Sequence, residues 1–307
     1  MANTLTKLTQ IADAGLAALA EQGQVFPLLS RDFQSDLLVR GKGSTVTVNI
    51  PGTFVARDFD HETGIQIQGM TETTTEVKLD KILDVSFELT DSEFTLDVRD
   101  LAAQFIVPAM EALAVGADTY ALETLADAAT SEVGTGTADA RPYVYSHPKV
   151  LVDAKAKLDQ ARAPLSDRFV VAGTETAADW LSTDLLSRVD QSGTSNGLRQ
   201  ANIGNLYGFD LYQNTKIAAP SESPKTGEPT TEVSVAAHRN AVAFAAGTLE
   251  AAANTESVVR TYKGLALRVT RFYDGVHKKS IMSVDTIIGA NAVRPEWITL
   301  IKGADQQ

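Results

Sequence analysis

A polar, acidic stretch from Arg57 to Thr75 separates two segments with strand patterns, and this arrangement constrains the fold more than any other feature. Before the stretch, apolar and polar residues alternate from Ser44 to Ile50, and Pro51-Gly52 ends the pattern. After it, the alternation resumes from Val77 to Leu89. A period of two predicts half-buried strands. We therefore expect a long hairpin that projects from the body, and a loop this long in a compact domain is usually functional.

A long helical pattern follows the second strand. Thr90 and Glu93 have the spacing of a capping box, in which both side chains bond free backbone N–H groups of the first turn. Apolar residues then recur on one face to about Ala129, which at 1.5 Å per residue predicts a rod of roughly 45 Å. Pro108 interrupts the pattern, and a proline inside a helix costs about 3 kcal/mol. We expect a kink or a short separate helix before it.

The rest of the chain mixes helix and strand patterns, so the expected fold class is α+β. Residues 4–22 form an amphipathic helical pattern, whose apolar stripe needs a packing partner. Helices are also expected from Ser146 to Ala163 and from Thr174 to Val189. The stripe consists of Leu5, Leu8, Ile11 and Leu16, and further strand patterns occur at Arg168–Ala172, Leu198–Asn214, Ala241–Ala246, Leu265–Val269 and Ile281–Ile288.

The composition excludes several classes of protein. Hydrophobic residues make up 44% and charged residues 21% of the 307 residues, which is typical of a globular chain. No apolar run approaches the roughly 20 residues that span a bilayer, and we expect no signal peptide and no membrane contact. Because cysteine is absent, disulfides and thiolate metal sites are excluded. A net charge of −12 disfavours wrapping of DNA, although such a chain could line a container that holds DNA.

Charge is distributed unevenly. Residues 58–97 contain eleven acidic residues and two lysines, a net charge of −9, whereas residues 260–279 contain six basic residues and one acidic residue, a net charge of +5. Opposite charges on one chain favour head-to-tail contact between copies. Two separate solvated surfaces are the alternative. The candidate contact residues are Asp58, Asp60, Glu62, Glu72 and Glu76 on the acidic side, and Arg268, Arg271, Lys278 and Lys279 on the basic side.

Catalytic and metal-binding patterns are weak. The segment from Gly193 to Gly197 matches the nucleophile elbow of hydrolases around Ser195, but an elbow follows a buried strand, and a polar helical pattern precedes this one. Asp58, Asp60 and Glu62 alternate like calcium ligands, but the glycine and glutamate of an EF-hand loop are missing from its sixth and twelfth positions. We expect solvated loops at both places, with no catalytic residue, metal or cofactor. A hydrolase that uses Ser195 remains the alternative.

The order of the elements resembles the capsid fold of tailed bacteriophages, of the Hong Kong phage type, which herpesvirus shells and encapsulins share. The shared order is an arm, a strand, a long hairpin, a second strand, a long capped helix, a mixed α/β segment and a return strand. Local sequence is similar to the coat proteins of short-tailed enterobacterial phages. The similar segments are Ser30–Phe33, Lys42–Val48, Ile50-Pro51, Val85–Leu96, Pro108–Leu113, Asp118 and Asn202–Asn214.

The resemblance implies a major capsid protein that assembles through hexamers and pentamers into an icosahedral shell. The shell would enclose double-stranded phage DNA without sequence-specific binding, and would form in the host cytoplasm before the chain becomes part of the virion. Only a loop fits between Asn214 and Arg239, so the inserted domain of the better-known coat proteins of this branch is expected to be absent. The N-terminal residues lack the long charged helical pattern of a fused scaffold, so we expect a separate scaffolding protein beside a portal protein. An encapsulin-like compartment is the alternative.

The resemblance also implies a division of the chain and a mode of contact. We expect the hairpin, called the E-loop, to lie across a neighbouring subunit, on the basic return strands and the start of the long helix. The burial of apolar area would determine how strong this contact is, and charge would determine its register. The N-arm stripe would pack on another subunit or on the E-loop. The implied parts are the N-arm 1–43, the E-loop with its flanking P-domain strands 44–92, the P-domain spine helix and following loop 93–145, the A-domain 146–262, and the P-domain return strands 263–307.

Overall fold

Two large β-sheets, one two-stranded sheet and one long helix organise the described part of the chain in the computed structural model. The structure describes residues 9–17, 19, 23–31, 45–50, 73–90, 105–183, 204–247, 249–250, 255–262, 265–274 and 279–306, and eight single positions between 56 and 69. The strands are β1 Thr45–Ile50, β2 Thr73–Lys78, β3 Lys81–Thr90, β4 Ser131–Val133, β5 Arg168–Ala172, β6 Asn205–Leu206, β7 Phe209–Gln213, β8 Ser234–His238, β9 Val242–Gly247, β10 Glu256–Tyr262, β11 Leu265–Asp274, β12 Lys279–Ala292 and β13 Ile298–Ile301. The helices are α1 Val107–Ala128, α2 Val150–Gln160 and α3 Thr174–Ser182.

A five-stranded antiparallel sheet carries the first core. Its strands run in the order β10-β11-β12-β3, and β9 pairs with the second half of β12. Alternation places Val85 and Met282 on the face that packs against α1, while Asp84 and Ser283 lie on the opposite face. The alternating sequences of β3, β11 and β12 therefore produce the expected half-buried strands.

The helix α1 is the spine of this core. It begins at Val107, so Pro108 lies in its first turn, where the missing N–H is not needed. Met110, Leu113 and Leu125 are buried on one face. The 22 residues give a length of about 33 Å, shorter than the expected 45 Å. The capping box that includes Glu93 lies outside the described residues.

A six-stranded mixed sheet forms a second body with α2 and α3. Its order is β4-β13-β8-β5-β7-β6, and β5 and β8 are buried along their whole length. The tight hairpin between β6 and β7 turns at Tyr207 and Gly208, whose φ angles of 51° and 86° lie in the left-handed region. Trp180 and Phe209 are fully buried in the core of this body.

Sheet membership differs from the expected division at three places. β4 lies within the expected P-domain segment 93–145 but pairs within the six-stranded sheet. β9 and β10 precede residue 263 but pair within the five-stranded sheet, and the last strand, β13, pairs within the six-stranded sheet. The chain therefore passes between the two large sheets three times, after β3, after β8 and after β12, whereas the expected division requires only two passages. Its final strand returns because its apolar residues, such as Ile298, complete the second sheet between β4 and β8.

Candidate assembly surfaces

The E-loop, residues 45–78, starts from a fixed base. β1 and β2 pair antiparallel from Thr45 opposite Lys78 to Ile50 opposite Thr73. Val48 and Val77 are buried in a small apolar cluster against β9. The side-chain amide of Asn291 donates a hydrogen bond of 2.8 Å to the carbonyl of Glu76. These contacts set the direction in which the hairpin leaves the sheet.

Gly289 makes the close approach at this base possible. A Cβ atom there would lie 2.0 Å from the carbonyl oxygen of Lys78. Real Cβ atoms do not come this near, and the obstacle is backbone, which cannot swing away as a side chain could. Glycine is thus required where the E-loop crosses β12.

Beyond the base, all described residues of the E-loop except the half-buried Gly64 are exposed, including large apolar ones. The exposed fractions are 62% for Phe59, 85% for Ile65 and 93% for Ile67. Single exposed apolar residues are ordinary on protein surfaces, but three on one projecting hairpin indicate a contact site. Asp58 and Glu76 are exposed as expected, and Asp60, Glu62 and Glu72 lie outside the described residues.

The basic residues of the return strands are paired within their own chain. Arg268 lies opposite Asp285 across the β11–β12 ladder, and its Nε and Nη2 donate to the two carboxylate oxygens at 2.9 and 2.5 Å. These hydrogen bonds raise the pKa of Arg268. Arg271 contacts Glu256 at 3.4 Å, and the Nζ of Lys279 donates to Glu88 at 2.7 Å.

Arg268 has a clear structural task. Asp84 lies directly opposite Asp285 in the β3–β12 ladder, and like charges at such positions destabilise a sheet. The guanidinium group offsets the charge of Asp285, while the hydroxyls of Ser283 and Ser86 donate to Asp84 at 2.6 and 2.9 Å. Arg268 therefore stabilises its own sheet, and its expected contact with an acidic hairpin of another copy stays a prediction. Lys278 lies outside the described residues.

The described residues of the N-terminal stripe also pack within their own chain. Residues 9–17 are helical, and Ile11 and Leu16 are 1% and 3% exposed within the core beside α1. A Cβ atom at Gly15 would lie 3.3 Å from side-chain atoms of Ile106 and Met110, which shows how closely this helix approaches. We expected this stripe on another subunit or on the E-loop, whereas the structure places Ile11 and Leu16 in the core of the same chain. Leu5 and Leu8 lie outside the described residues.

Asp118 fastens the segment that follows this helix to α1. Its carboxylate, 4% exposed, accepts hydrogen bonds of 2.9, 2.8 and 3.0 Å from the backbone N–H groups of Gln24, Val25 and Phe26. Burial raises the pKa of Asp118, although the three N–H groups oppose the shift. Sequence patterns did not reveal this contact, because one aspartate on a helix gives no signal of a partner about ninety residues away.

The structure adds no support for the nucleophile elbow around Ser195 or for the calcium-like pattern of Asp58, Asp60 and Glu62. Ser195 and two of the three acidic residues of the calcium-like pattern lie outside the described residues. In the part of the chain that the structure describes, no group of three or more histidine, aspartate or glutamate side chains could hold a metal ion. Nor is any described helix long and apolar enough to cross a membrane.

Comparisons with known proteins agree with this architecture. The sequence model of a family described as phage capsid protein matches residues 71–281. A structure from Mycobacterium phage Che8 is 20% identical with a TM-score of 0.65, covering 91% of this chain and 90% of that one. The capsid of the cyanophage P-SCSP1u is 14% identical with a TM-score of 0.64, covering 93% and 89%. A virus-like particle from Pyrococcus furiosus is 12% identical with a TM-score of 0.54, covering 96% and 99%.

No curated protein matches the chain. The family match nevertheless spans most of the sequence, from the last residues of the E-loop through β3, α1 and both sheets to β12. The structural likeness covers about nine-tenths of this chain and of the phage proteins, so the expected α+β fold with its E-loop, spine helix and mixed domain is confirmed. The chain belongs to the phage capsid protein family and is a major capsid protein with the tailed-phage capsid fold.

Proposed function

We propose that the chain assembles through hexamers and pentamers into a closed icosahedral shell that encloses double-stranded phage DNA. The shell would form in the host cytoplasm around a separate scaffolding protein, with a portal protein at one vertex. The family match favours this role over an encapsulin-like compartment. We also propose that the chain is purely structural, with no enzymatic activity, and that the enclosed DNA is not bound in a sequence-specific way, which suits a net charge of −12.

The exposed apolar tip of the E-loop carries this proposal. A hairpin with a fixed base and 85% and 93% exposed isoleucines at positions 65 and 67 is unfavourable for a chain that remains alone. Contact with a neighbouring subunit would bury these side chains, and burying one isoleucine contributes about 1.5–3 kcal/mol. Heterologous contacts that repeat in this way can close into rings and shells.

Charge has a secondary part in the proposed contact. Exposed ion pairs contribute only about 0–1 kcal/mol each, so Asp58 and the other acidic residues of the E-loop would set register and association rate. The receptor cannot depend mainly on Arg268, Arg271 and Lys279, because each already has an acidic partner in its own chain. The division into N-arm, E-loop, spine helix and A-domain is part of this proposal, and within it β9, β10 and β13 are grouped by the sheets in which they pair.

The double variant Ile65→Asp/Ile67→Asp tests the proposal. Both side chains are exposed in the single chain, so the variant should fold normally, while the buried contact between copies would be lost. We expect soluble subunits and no shells in sedimentation velocity and electron microscopy. The control Leu165→Asp changes a side chain that is 71% exposed on the turn before β5, and it should still assemble. Normal shells from the double variant would show that the E-loop tip does not hold the shell together.

A further inference from the structure

One short segment, residues 23–30, touches three parts of the fold, and we call it the strap. Its last residue pairs with the five-stranded sheet. The N–H of Ser30 donates to the carbonyl of Arg239 at 3.1 Å, and the carbonyl of Ser30 accepts from the N–H of Phe244 at 2.9 Å. The ring of Phe26 stacks on that of Phe244, with 5.5 Å between the ring centroids. This end of the strap is therefore fixed to β9.

The other end of the strap is fixed to α1 and to the six-stranded sheet. The carboxylate of Asp118 in α1 accepts from three backbone N–H groups of the strap. The Oε1 of Gln24 accepts from the side-chain amide of Asn214, the residue after β7, at 3.3 Å. Asn214 is 2% exposed, and its own N–H donates to the carbonyl of Ala172 in β5 at 3.0 Å. The strap thus joins α1 and both large sheets by hydrogen bonds.

Hydrogen bonds and apolar contacts constrain the two large sheets differently. Buried apolar side chains of α1 and of both sheets form one cluster, which includes Leu125, Val235 and Val284. Apolar burial has no preferred direction, so it holds two surfaces together without specifying sharply the angle between them. A hydrogen bond weakens steeply when its distance or its angle departs from the ideal. The strap therefore constrains the angle between the sheets in a way that the apolar cluster does not.

The charge of Asp118 also fits a part that specifies geometry. Burial raises the pKa of this carboxyl, so the charged form is held at a cost. Buried charges are weak contributors to stability, and packing of apolar residues in their place is often as stable or more so. A carboxylate that accepts three N–H groups, however, allows only one position of the strap on α1.

We infer that the strap fixes the angle between the two large sheets and thereby sets the curvature of the assembled shell, with Asp118 and Gln24 as its positioning residues. The effect on curvature rests on the proposed assembly, whereas the effect on the angle concerns the single chain. Repeated heterologous contacts close only at a fixed rotation between neighbours. A subunit with a looser angle would present its contact surfaces in more than one orientation, and shells would close at more than one curvature.

Distances between two spin labels, measured by pulsed electron paramagnetic resonance on unassembled subunits, test the angle directly. The natural chain has no cysteine, so Lys81→Cys on β3 and Gln160→Cys at the end of α2 place one label beside each sheet at exposed positions. Gln24→Ala removes the bond to Asn214 and changes an exposed side chain, so it should fold normally. We expect a broader distribution of distances for Gln24→Ala than for the labelled natural chain, and a still broader one for Asp118→Asn.

The matched control is Gln213→Ala, which changes an exposed glutamine of β7 beside Asn214 and should leave the distances as they are in the natural chain. Electron microscopy then compares shell diameters, which should be uniform for the natural chain and the control and should vary for both strap variants. If neither strap variant changes the distances, the inference is overturned, although assembly would stand.

Shells of unchanged size from a strap variant with a broadened distribution would overturn the link between the strap and curvature. If Asp118→Asn fails to fold, Gln24→Ala decides, because it leaves the three N–H groups bonded to Asp118. If the natural chain forms no shells under any condition, the proposed function fails, and the distances alone decide whether the strap fixes the angle.

Discussion

Replacing Asp118 by alanine should release the N-terminal segment from α1. Three backbone N–H groups, those of Gln24, Val25 and Phe26, would lose their acceptor, and Val25 and Phe26 are 1% exposed, so little water can replace it. Leaving a buried N–H group without an acceptor costs about 1–3 kcal/mol, and relief of the unfavourable burial of the carboxylate, which also raises its pKa, offsets much of the sum over the three groups. We expect the free energy of unfolding to fall by about 3–5 kcal/mol, a large part of the total for a typical domain.

Urea unfolding of unassembled subunits, followed by circular dichroism, measures this change. Asp118→Asn keeps one oxygen that accepts from Val25 and Phe26 but turns an NH₂ group toward the N–H of Gln24, so its loss should be about half as large. The control is Asp127→Ala, which removes an exposed carboxylate from the last turn of the same helix. If the free energy of unfolding of Asp118→Ala lies within about 0.5 kcal/mol of that of this control, the carboxylate does not hold the N-terminal segment, and the reasoning fails.

Three further predictions follow from the same geometry. Gly289→Ala should lower the melting temperature and expose the E-loop base to proteolysis, because its Cβ would clash with the backbone of Lys78. The control Gly69→Ala has nothing within 4 Å of its Cβ and should behave like the natural chain. Arg268→Ala should destabilise the unassembled subunit by about 2–4 kcal/mol, since it leaves two facing carboxylates, while Lys279→Ala, which breaks an exposed pair, should cost at most about 1 kcal/mol. Burial raises the pKa of Asp118, so the folded state holds the proton of this carboxyl more tightly than the unfolded state does. The free energy of unfolding of the natural chain, relative to that of Asp118→Asn, should therefore fall as pH rises from about 4, which urea unfolding across the acidic range measures. An unchanged melting temperature for Gly289→Ala would contradict the first argument. Equal losses of stability for Arg268→Ala and Lys279→Ala would contradict the second, and a stability relative to Asp118→Asn that rises with pH would contradict the third.

Periodicity and turn residues predicted the local elements well. The alternation of β3, β11 and β12, the helix that became α1, and the strand pattern at Leu198–Asn214, which contains β6 and β7, all appear in the structure, because each depends on neighbours within a few residues. Pro108 was expected to interrupt the long helix, and it lies in the first turn of α1. The segment before Val107 that would have extended the rod falls largely outside the described residues.

Contacts between distant segments could not be predicted from the sequence. The basic stretch looked available for a partner, but the register of β11 on β12 places Asp285 opposite Arg268, and nothing local specifies that register. The same limit applies to Asp118 and the N-terminal segment, which are joined only by the tertiary fold. The apolar residues Ile65 and Ile67 were visible within the polar tract, but their significance depends on an exposure that only the fold reveals.

Electron microscopy with sedimentation velocity tests the central claim most directly. The chain is expressed alone and together with a candidate scaffolding protein, and both preparations are examined at moderate ionic strength, where exposed ion pairs are partly screened. The account predicts closed icosahedral particles, or uniform hexamer and pentamer rings that convert into them. A well-folded species that stays small under every condition, with and without scaffold, would contradict it.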